Sequence, residues 1–153
     1  MTPLISCVSM DPVKSKNITC LFSYNNILPF EPAGYGIGNF FGSSDDFEEM
    51  VIRCRAAGVG VIVNIVLNHF TTNRGQSSLG NPINKPGPMD FPAVPYNASN
   101  FHQCDNKIES SWNTNCTGYG LDVKTESPEC QEKIVEYLTT LIEYGVVGFR
   151  DRL

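Results

Sequence analysis

The sequence lacks the features that would assign it to a membrane or to nucleic acid. No apolar run approaches the roughly 20 residues that a membrane-spanning helix needs. The net charge is −5, and the sequence has no cluster of lysine and arginine. Nucleic acid and anionic membranes attract such clusters. We therefore expect neither a membrane nor nucleic acid as a partner.

Two further absences concern the cysteines and the amino terminus. No Cys-x-x-Cys pair is present, which argues against a zinc site or a thioredoxin-like site. The first twenty residues contain neither a basic segment nor a long apolar segment, so no signal peptide is visible. Either the native amino terminus precedes this sequence or the chain is not exported.

The residues that are present favour an oxidising, secretory environment. The chain has six cysteines, which are Cys7, Cys20, Cys54, Cys104, Cys116 and Cys130. It also has three Asn-x-Ser/Thr sequons, which begin at Asn17, Asn97 and Asn115.

One apolar stretch predicts a buried strand that ends at a site. It runs from Val59 to Phe70, is apolar on both faces and is interrupted only near its end by Asn68 and His69. Strands of buried parallel sheets have this pattern, and their carboxyl ends carry ligand and catalytic groups. A buried strand that ends in an ordinary polar turn is the alternative.

A helix is predicted before this strand. Ser44 or Asp45 can cap it, Glu48 stands three residues after Asp45, and Gly58 ends it in a left-handed conformation. Its apolar face is predicted to contain Phe47, Met50, Val51 and Cys54.

A second helix is predicted near the end of the sequence. Ser127 caps it, Pro128 occupies its first turn, and Gly145 stops it before a strand over residues 146–149. Its predicted apolar stripe consists of Ile134, Val135, Leu138, Leu141 and Ile142. Helix, strand, helix and strand in this order predict a parallel sheet with right-handed crossovers.

The segment between His69 and Glu126 is far longer than the usual connection from a strand to a helix. It is rich in Gly, Pro, Asn and Ser, so it is either a functional loop with its own packing or a disordered linker. Its cysteines and aromatic residues favour the first reading; these are Cys104, Cys116, Phe91, Tyr96, Phe101 and Trp112.

Three strings in this order resemble the animal-type α-amylases. They are Asn68-His69 at the strand end, MDFPAVPY from Met89 to Tyr96, and GFR from Gly148 to Arg150. The resemblance implies an α/β fold, as part of a (β/α)8 TIM barrel with an inserted irregular domain B. A complete barrel needs about 250 residues, so we expect an incomplete barrel fragment.

The resemblance also implies the boundaries of four segments. Residues 1–29 are unmatched and expected to be poorly ordered. Residues 30–68 form a barrel segment of a helix and the third strand, and residues 69–126 form the domain B-like insertion. Residues 127–153 form a barrel segment of a helix and the fourth strand.

The family hydrolyses internal α-1,4-glucosidic bonds of starch and glycogen by a retaining mechanism, and uses calcium and chloride. By resemblance, His69 binds the sugar at the cleavage point and Arg150 holds chloride. The implied calcium ligands are Asn68, Asp122 and the backbone near Thr114. The resemblance also implies a disulfide between Cys104 and Cys116, and leaves the partners of Cys7, Cys20, Cys54 and Cys130 open. We expect an extracellular monomer with an α-glucan as its partner.

The sequence departs from the family at the catalytic positions. The family nucleophile is an aspartate two residues after the arginine of GFR, whereas Asp151 directly follows Arg150. Because side chains alternate along a strand, Asp151 is a displaced nucleophile candidate that faces away from the barrel mouth. Asn64 replaces a family aspartate, and no residue matches the family's acid glutamate, so we expect this chain alone to be inactive.

Two hypotheses remain. The chain is a truncated product of an α-amylase gene, or it is a non-catalytic relative that binds glucan or is inert. A longer transcript that reads Gly-Phe-Arg-x-Asp favours the first, and glucan binding without cleavage favours the second.

Overall fold

The computed structural model describes residues 32–38, 42–77, 79–85, 87–103 and 120–151, and the backbone of residues 4–9. The larger sheet has three strands in the order β1 (Leu4–Ser9), β2 (Val59–Ile65) and β7 (Gly148–Asp151). Strands β2 and β7 are parallel, with Ile62 opposite Gly148 and Ile65 opposite Asp151. The predicted parallel pair is therefore confirmed.

Strand β1 is the described part of residues 1–29, and the expected poor order of that segment stays a prediction. It pairs antiparallel with β2, from Leu4 opposite Asn64 to Ser9 opposite Val59. An uncovered strand edge exposes unpaired backbone groups, and β1 covers the edge of β2 that β7 leaves open. An antiparallel neighbour does not belong to a (β/α)8 barrel, so these residues show one parallel pair and no closed barrel.

Helix α1 (Ser44–Ala56) begins one residue earlier than the predicted caps allow. The cap is Ser43, whose backbone N–H donates to Asp46 Oδ2 at 2.7 Å, while the Asp46 N–H donates to Ser43 Oγ at 3.2 Å. Two otherwise unpaired donors are satisfied in this reciprocal box. The left-handed Gly58 is confirmed, with φ of +73°.

Strand β2 ends at Ile65, which corrects the predicted strand that continues to Phe70. The chain bends at Asn68, and β3 (His69–Phe70) pairs antiparallel with β6 (Leu121–Asp122). We call this two-residue ribbon the neck, because it joins the two ends of the insertion, residues 69–126. Val66 and Phe70 are buried although neither belongs to β2, so the apolar run reflects burial rather than one continuous strand.

Helix α2 (Pro128–Glu143) has the predicted cap, because Ser127 Oγ accepts the Cys130 N–H at 3.2 Å. Its predicted stripe is partly wrong. Val135 and Ile142 are 60% and 57% exposed, while Cys130, Tyr137 and Leu141 are buried. These three residues recur at spacings of seven and four, so they lie on one face of the helix. The predicted stripe did not include this face, because Tyr137 carries a polar hydroxyl.

The strand after α2 also starts later than predicted, at Gly148 rather than at residue 146. Val146 is instead a buried core residue, and its N–H donates to the Leu141 carbonyl at 3.1 Å. Gly145 has φ of +95° and ends the helix as predicted.

Two hydrophobic clusters organise the described residues. The first joins β2 to both helices through Val61, Val63, Ile65, Phe47, Val51, Tyr137 and Leu141. The second, which we call the aromatic cluster, contains Phe70, Phe91, Tyr96, Phe101 and Val123 of the insertion together with Cys130 of helix α2. Phe70 and Phe91 meet edge to face with ring centroids 5.0 Å apart. The described part of the insertion is therefore packed and is not a linker.

The remaining ordered elements of the insertion are short. Strands β4 (Gly75–Gln76) and β5 (Pro82–Ile83) form a two-stranded antiparallel ribbon, and a 3-10 helix spans Ala98–Asn100. Neither helix of the described part is long and apolar enough to cross a bilayer.

Candidate functional site

The predicted site residues that belong to the described part of the chain lie at and beyond the carboxyl ends of the parallel strands. Arg150 is opposite Asn64, and Asp151 is opposite Ile65 at the end of β2. Asn68 follows Ile65 by three residues, so it lies within about 10 Å of the strand end at a rise of about 3.3 Å per residue. The strand end, the bend and the neck thus form one region.

His69 is held by its neighbour and enclosed by the neck. Its Nδ1 lies 2.8 Å from Asn68 Oδ1. Because an amide oxygen only accepts, Nδ1 donates, and this bond fixes the orientation of the imidazole. His69 is only 5% exposed.

Gly120 explains how closely the second strand of the neck approaches His69. A Cβ at this position would clash with the Phe70 carbonyl oxygen and would lie 2.9 Å from His69 Cδ2. Only a residue without a side chain lets the backbone before β6 pass so near, so Gly120 is a positioning residue that the sequence analysis missed.

Asp122 is directly opposite His69 in the neck, and the Val123 N–H donates to the Asn68 carbonyl at 2.9 Å. The Asp122 carboxylate is buried, and its Oδ2 lies 2.5 Å from His102 Nδ1. His102 Nε2 lies 2.9 Å from Glu126 Oε1. His102 therefore bridges a buried carboxylate and an exposed one.

The charge balance of this bridge favours a protonated imidazole. Burial opposes protonation, but the hydrogen bonds to Asp122 and Glu126 outweigh it and raise the pKa of His102. Glu126 has a lowered pKa, because its own backbone N–H and then His102 hydrogen-bond its carboxylate. His102 has no local signal in the sequence, because its partners lie 20 and 24 residues away.

The predicted calcium ligands are only partly within the described residues. The neck brings the backbone of Asn68 next to Val123, one residue after Asp122, whereas Thr114 lies outside the described residues. An amide oxygen and a carboxylate suit calcium, which needs six to eight oxygen ligands. The described residues contain no group of three His, Cys, Asp or Glu side chains that could hold a metal. The donor chemistry fits calcium, with two donors in the described part of the site.

Asp151 lies on the helix-facing side of the sheet. Opposite residues of paired strands point to the same face, so Asp151 shares the face of its partner Ile65. Ile65 packs with the two helices in the first cluster. Arg150 and Asn64 share the other face, and both Arg150 and Asp151 are exposed.

Cys104 and Cys116 lie outside the described residues. Among the described side chains, Cys54 and Cys130 are free thiols.

A cavity of about 360 Å³ lies between the segment 35–37, the loop 93–95 and helix α2, and none of the predicted site residues lines it. Tyr35 and Tyr137 stack in its wall with ring centroids 5.3 Å apart. Burial raises the pKa of Tyr35 to about 12, so its hydroxyl stays protonated at neutral pH.

Comparison with known proteins places this geometry in a family. No protein-family model matches the chain. The α-amylase of Hypothenemus hampei is 35% identical over 124 residues, which cover 79% of this chain and 25% of that protein. The pancreatic α-amylase of Homo sapiens is 35% identical over 144 residues, which cover 83% of this chain and 28% of that protein. This chain is a partial relative of the animal-type α-amylases.

Solved α-amylase structures agree in shape as well as in sequence. The crystal structure of α-amylase I from Eisenia fetida superposes with a TM-score of 0.70 at 31% identity, over 80% of this chain and 27% of that one. A mutant of the same enzyme, in complex with maltohexaose, gives a TM-score of 0.69 at 30% identity with the same coverage. The chain spans about a quarter of the length of these amylases.

Proposed function

We propose that the chain is a section of a secreted, monomeric α-amylase that cleaves internal α-1,4-glucosidic bonds of starch or glycogen with retention of configuration. The observation that carries this proposal is the parallel β2–β7 pair with the neck beyond it, in a chain that superposes on α-amylase I. The maltohexaose complex of the Eisenia fetida mutant supports an α-glucan as the ligand.

His69 and Arg150 are the residues that we assign to ligands. The imidazole of His69 is pre-oriented by Asn68 and would hydrogen-bond a sugar hydroxyl at the mouth of the cleft. The exposed guanidinium of Arg150 would hold chloride, since it is a permanent cation at the carboxyl end of β7.

Calcium would be held by Asn68, Asp122 and the backbone near Thr114. It would supply a positive charge that ties the insertion to the end of β2, because Asn68 directly precedes β3 and Asp122 belongs to the opposite strand, β6. His102 would act behind the metal ligand and orient the Asp122 carboxylate. A disulfide between Cys104 and Cys116 would contribute on the order of 3 kcal/mol by closing the loop between them.

The chain alone is inactive in this proposal. A retaining glycosidase needs two carboxyl groups about 5 to 5.5 Å apart across the substrate. Asp151 is on the helix-facing side of β7, opposite Ile65, and so does not face the same side as Arg150. No carboxyl group of this chain is assigned as the proton donor in this proposal.

A graft into a complete enzyme tests both parts of the proposal. Residues 32–151 replace the matching section of Eisenia fetida α-amylase I, and starch hydrolysis is measured by reducing-sugar release with calcium and chloride present. We expect no hydrolysis from this graft. Insertion of one alanine between Arg150 and Asp151, combined with Asn64→Asp, should restore hydrolysis, because the insertion turns the carboxylate to the face of Arg150 and the substitution returns the family's aspartate.

The control is the same insertion and substitution combined with Asp151→Asn, which keeps the shape and removes the nucleophile. Hydrolysis by the graft without the insertion would contradict the displaced-nucleophile argument. Failure of the inserted graft to bind maltohexaose would contradict the assignment to the amylase cleft.

The second candidate is a non-catalytic relative that binds glucan. The orientation of Asp151 favours it, together with Asn64 on the face of Arg150, where the family has aspartate. Binding of maltohexaose by the full chain without reducing-sugar release would select this candidate, and His69→Ala should abolish that binding.

A further inference from the structure

The sequon at Asn97 lies on the outer surface of the insertion. Asn97, Ala98 and Ser99 are all exposed; Asn97 caps the 3-10 helix Ala98–Asn100, which contains the other two. The middle residue is alanine, and only proline at this position disqualifies a sequon. Asn97 therefore belongs to a valid sequon and is accessible on the surface.

Beneath this turn, the chain is anchored to the aromatic cluster. Tyr96 and Phe101, which flank the turn, are buried, and Asn100 is also buried. The Asn97 N–H donates to Asn100 Oδ1 at 2.9 Å. The turn thus has a fixed inner side and an outward side that carries the sequon.

The side chain of Asn97 uses only its oxygen for structure. Its Oδ1 accepts the Ser99 N–H at 2.9 Å and the Ser99 hydroxyl at 2.8 Å. Its Nδ2 makes no hydrogen bond to another described residue. A group attached to Nδ2 would leave both hydrogen bonds of the cap intact.

We propose that Asn97 is a site of N-linked glycosylation. The Asn97 amide nitrogen forms a bond to the anomeric carbon of an oligosaccharide carried on a lipid pyrophosphate. The bond from that carbon to the pyrophosphate oxygen breaks, the lipid pyrophosphate leaves with the bonding electrons, and one Nδ2 proton passes to a base of the transferase. Bulky, solubilising sugars suit an outer surface, and here they displace no buried contact.

Mass spectrometry of the full chain, secreted from eukaryotic cells behind a supplied cleavable leader, tests the site. Trypsin cuts after Lys107, which separates the peptide that holds Asn97 from the one that holds Asn115. Enzymatic release of glycans in heavy-oxygen water converts each occupied asparagine to labelled aspartate. We expect the label at Asn97.

Matched variants separate glycosylation from folding. Ser99→Ala removes the sequon and keeps Asn97, so the label should disappear, whereas Ser99→Thr keeps the sequon and should retain it. The proposal is overturned if the leader is removed but the Asn97 peptide of the wild-type chain stays unlabelled. Label at Asn97 that persists in Ser99→Ala would overturn it as well.

Discussion

Replacement of Gly120 by alanine should force apart the two strands of the neck. The new methyl group would lie 2.9 Å from His69 Cδ2 and closer still to the Phe70 carbonyl oxygen. Carbon atoms pack best at about 3.5 to 4.0 Å, and the carbonyl belongs to β3 and cannot rotate away. The backbone must shift, and with it the pairing of His69 with Asp122.

The magnitude follows from two opposing contributions. Overpacking of a well-packed site costs about 1 to 3 kcal/mol. Loss of the glycine also restricts the unfolded chain, which stabilises the folded state by about 0.4 to 1 kcal/mol. With the middle of each range, the net loss in the free energy of unfolding should be about 1.3 kcal/mol, or about 3 to 5 °C in Tm for a chain of this size.

Gly148→Ala is the matched control. A Cβ there would meet only Ile62 Cγ1, at an ordinary 3.7 Å, so the free energy of unfolding should change by no more than about 0.5 kcal/mol. Urea unfolding of both variants measures the difference, and the Cδ2–H resonance of His69 reports the local shift. Equal unfolding midpoints together with an unmoved His69 resonance would refute the reasoning.

Two other outcomes are expected. Ser43→Ala should lower the free energy of unfolding by about 1 kcal/mol, whereas Ser44→Ala should change it by less than about 0.5 kcal/mol. Thermal unfolding measures both variants, and a larger loss in Ser44→Ala would show that Ser44 is the cap. Calcium should raise the Tm of the wild-type chain, by preferential binding to the folded state, and should not raise that of Asp122→Asn, whose amide keeps the shape and loses the charge. Equal calcium shifts in both chains, measured against magnesium, would remove Asp122 from the ligand set.

The features that the sequence predicted well are set by neighbouring residues. The start of helix α2 is set by Ser127 and Pro128 and its end by Gly145, because capping hydrogen bonds and left-handed turns depend on a few consecutive positions. The cap of α1 was placed one residue late because the run GSSDD offers overlapping capping boxes. The reciprocal bonds between Ser43 and Asp46 decide among them in the structure.

The features that the sequence did not predict depend on distant partners. Strand β1 pairs with residues fifty to sixty positions away, and His102 meets carboxylates across the insertion. Hydrophobic pattern alone also cannot divide the run from Val59 to Phe70, because both β2 and the neck are buried. The division requires the partner strand β6, whose two residues give no periodic signal.

The neck makes residues 71–120 a closed loop, because β3 and β6 meet at its base. Doubling the length of a closed flexible loop adds only about 0.6 kcal/mol of chain entropy. The stability of the sheet therefore depends only weakly on the length of this loop. Insertions, deletions and substitutions in that loop could therefore change the shape of the cleft without changing the positions of β2 and α2.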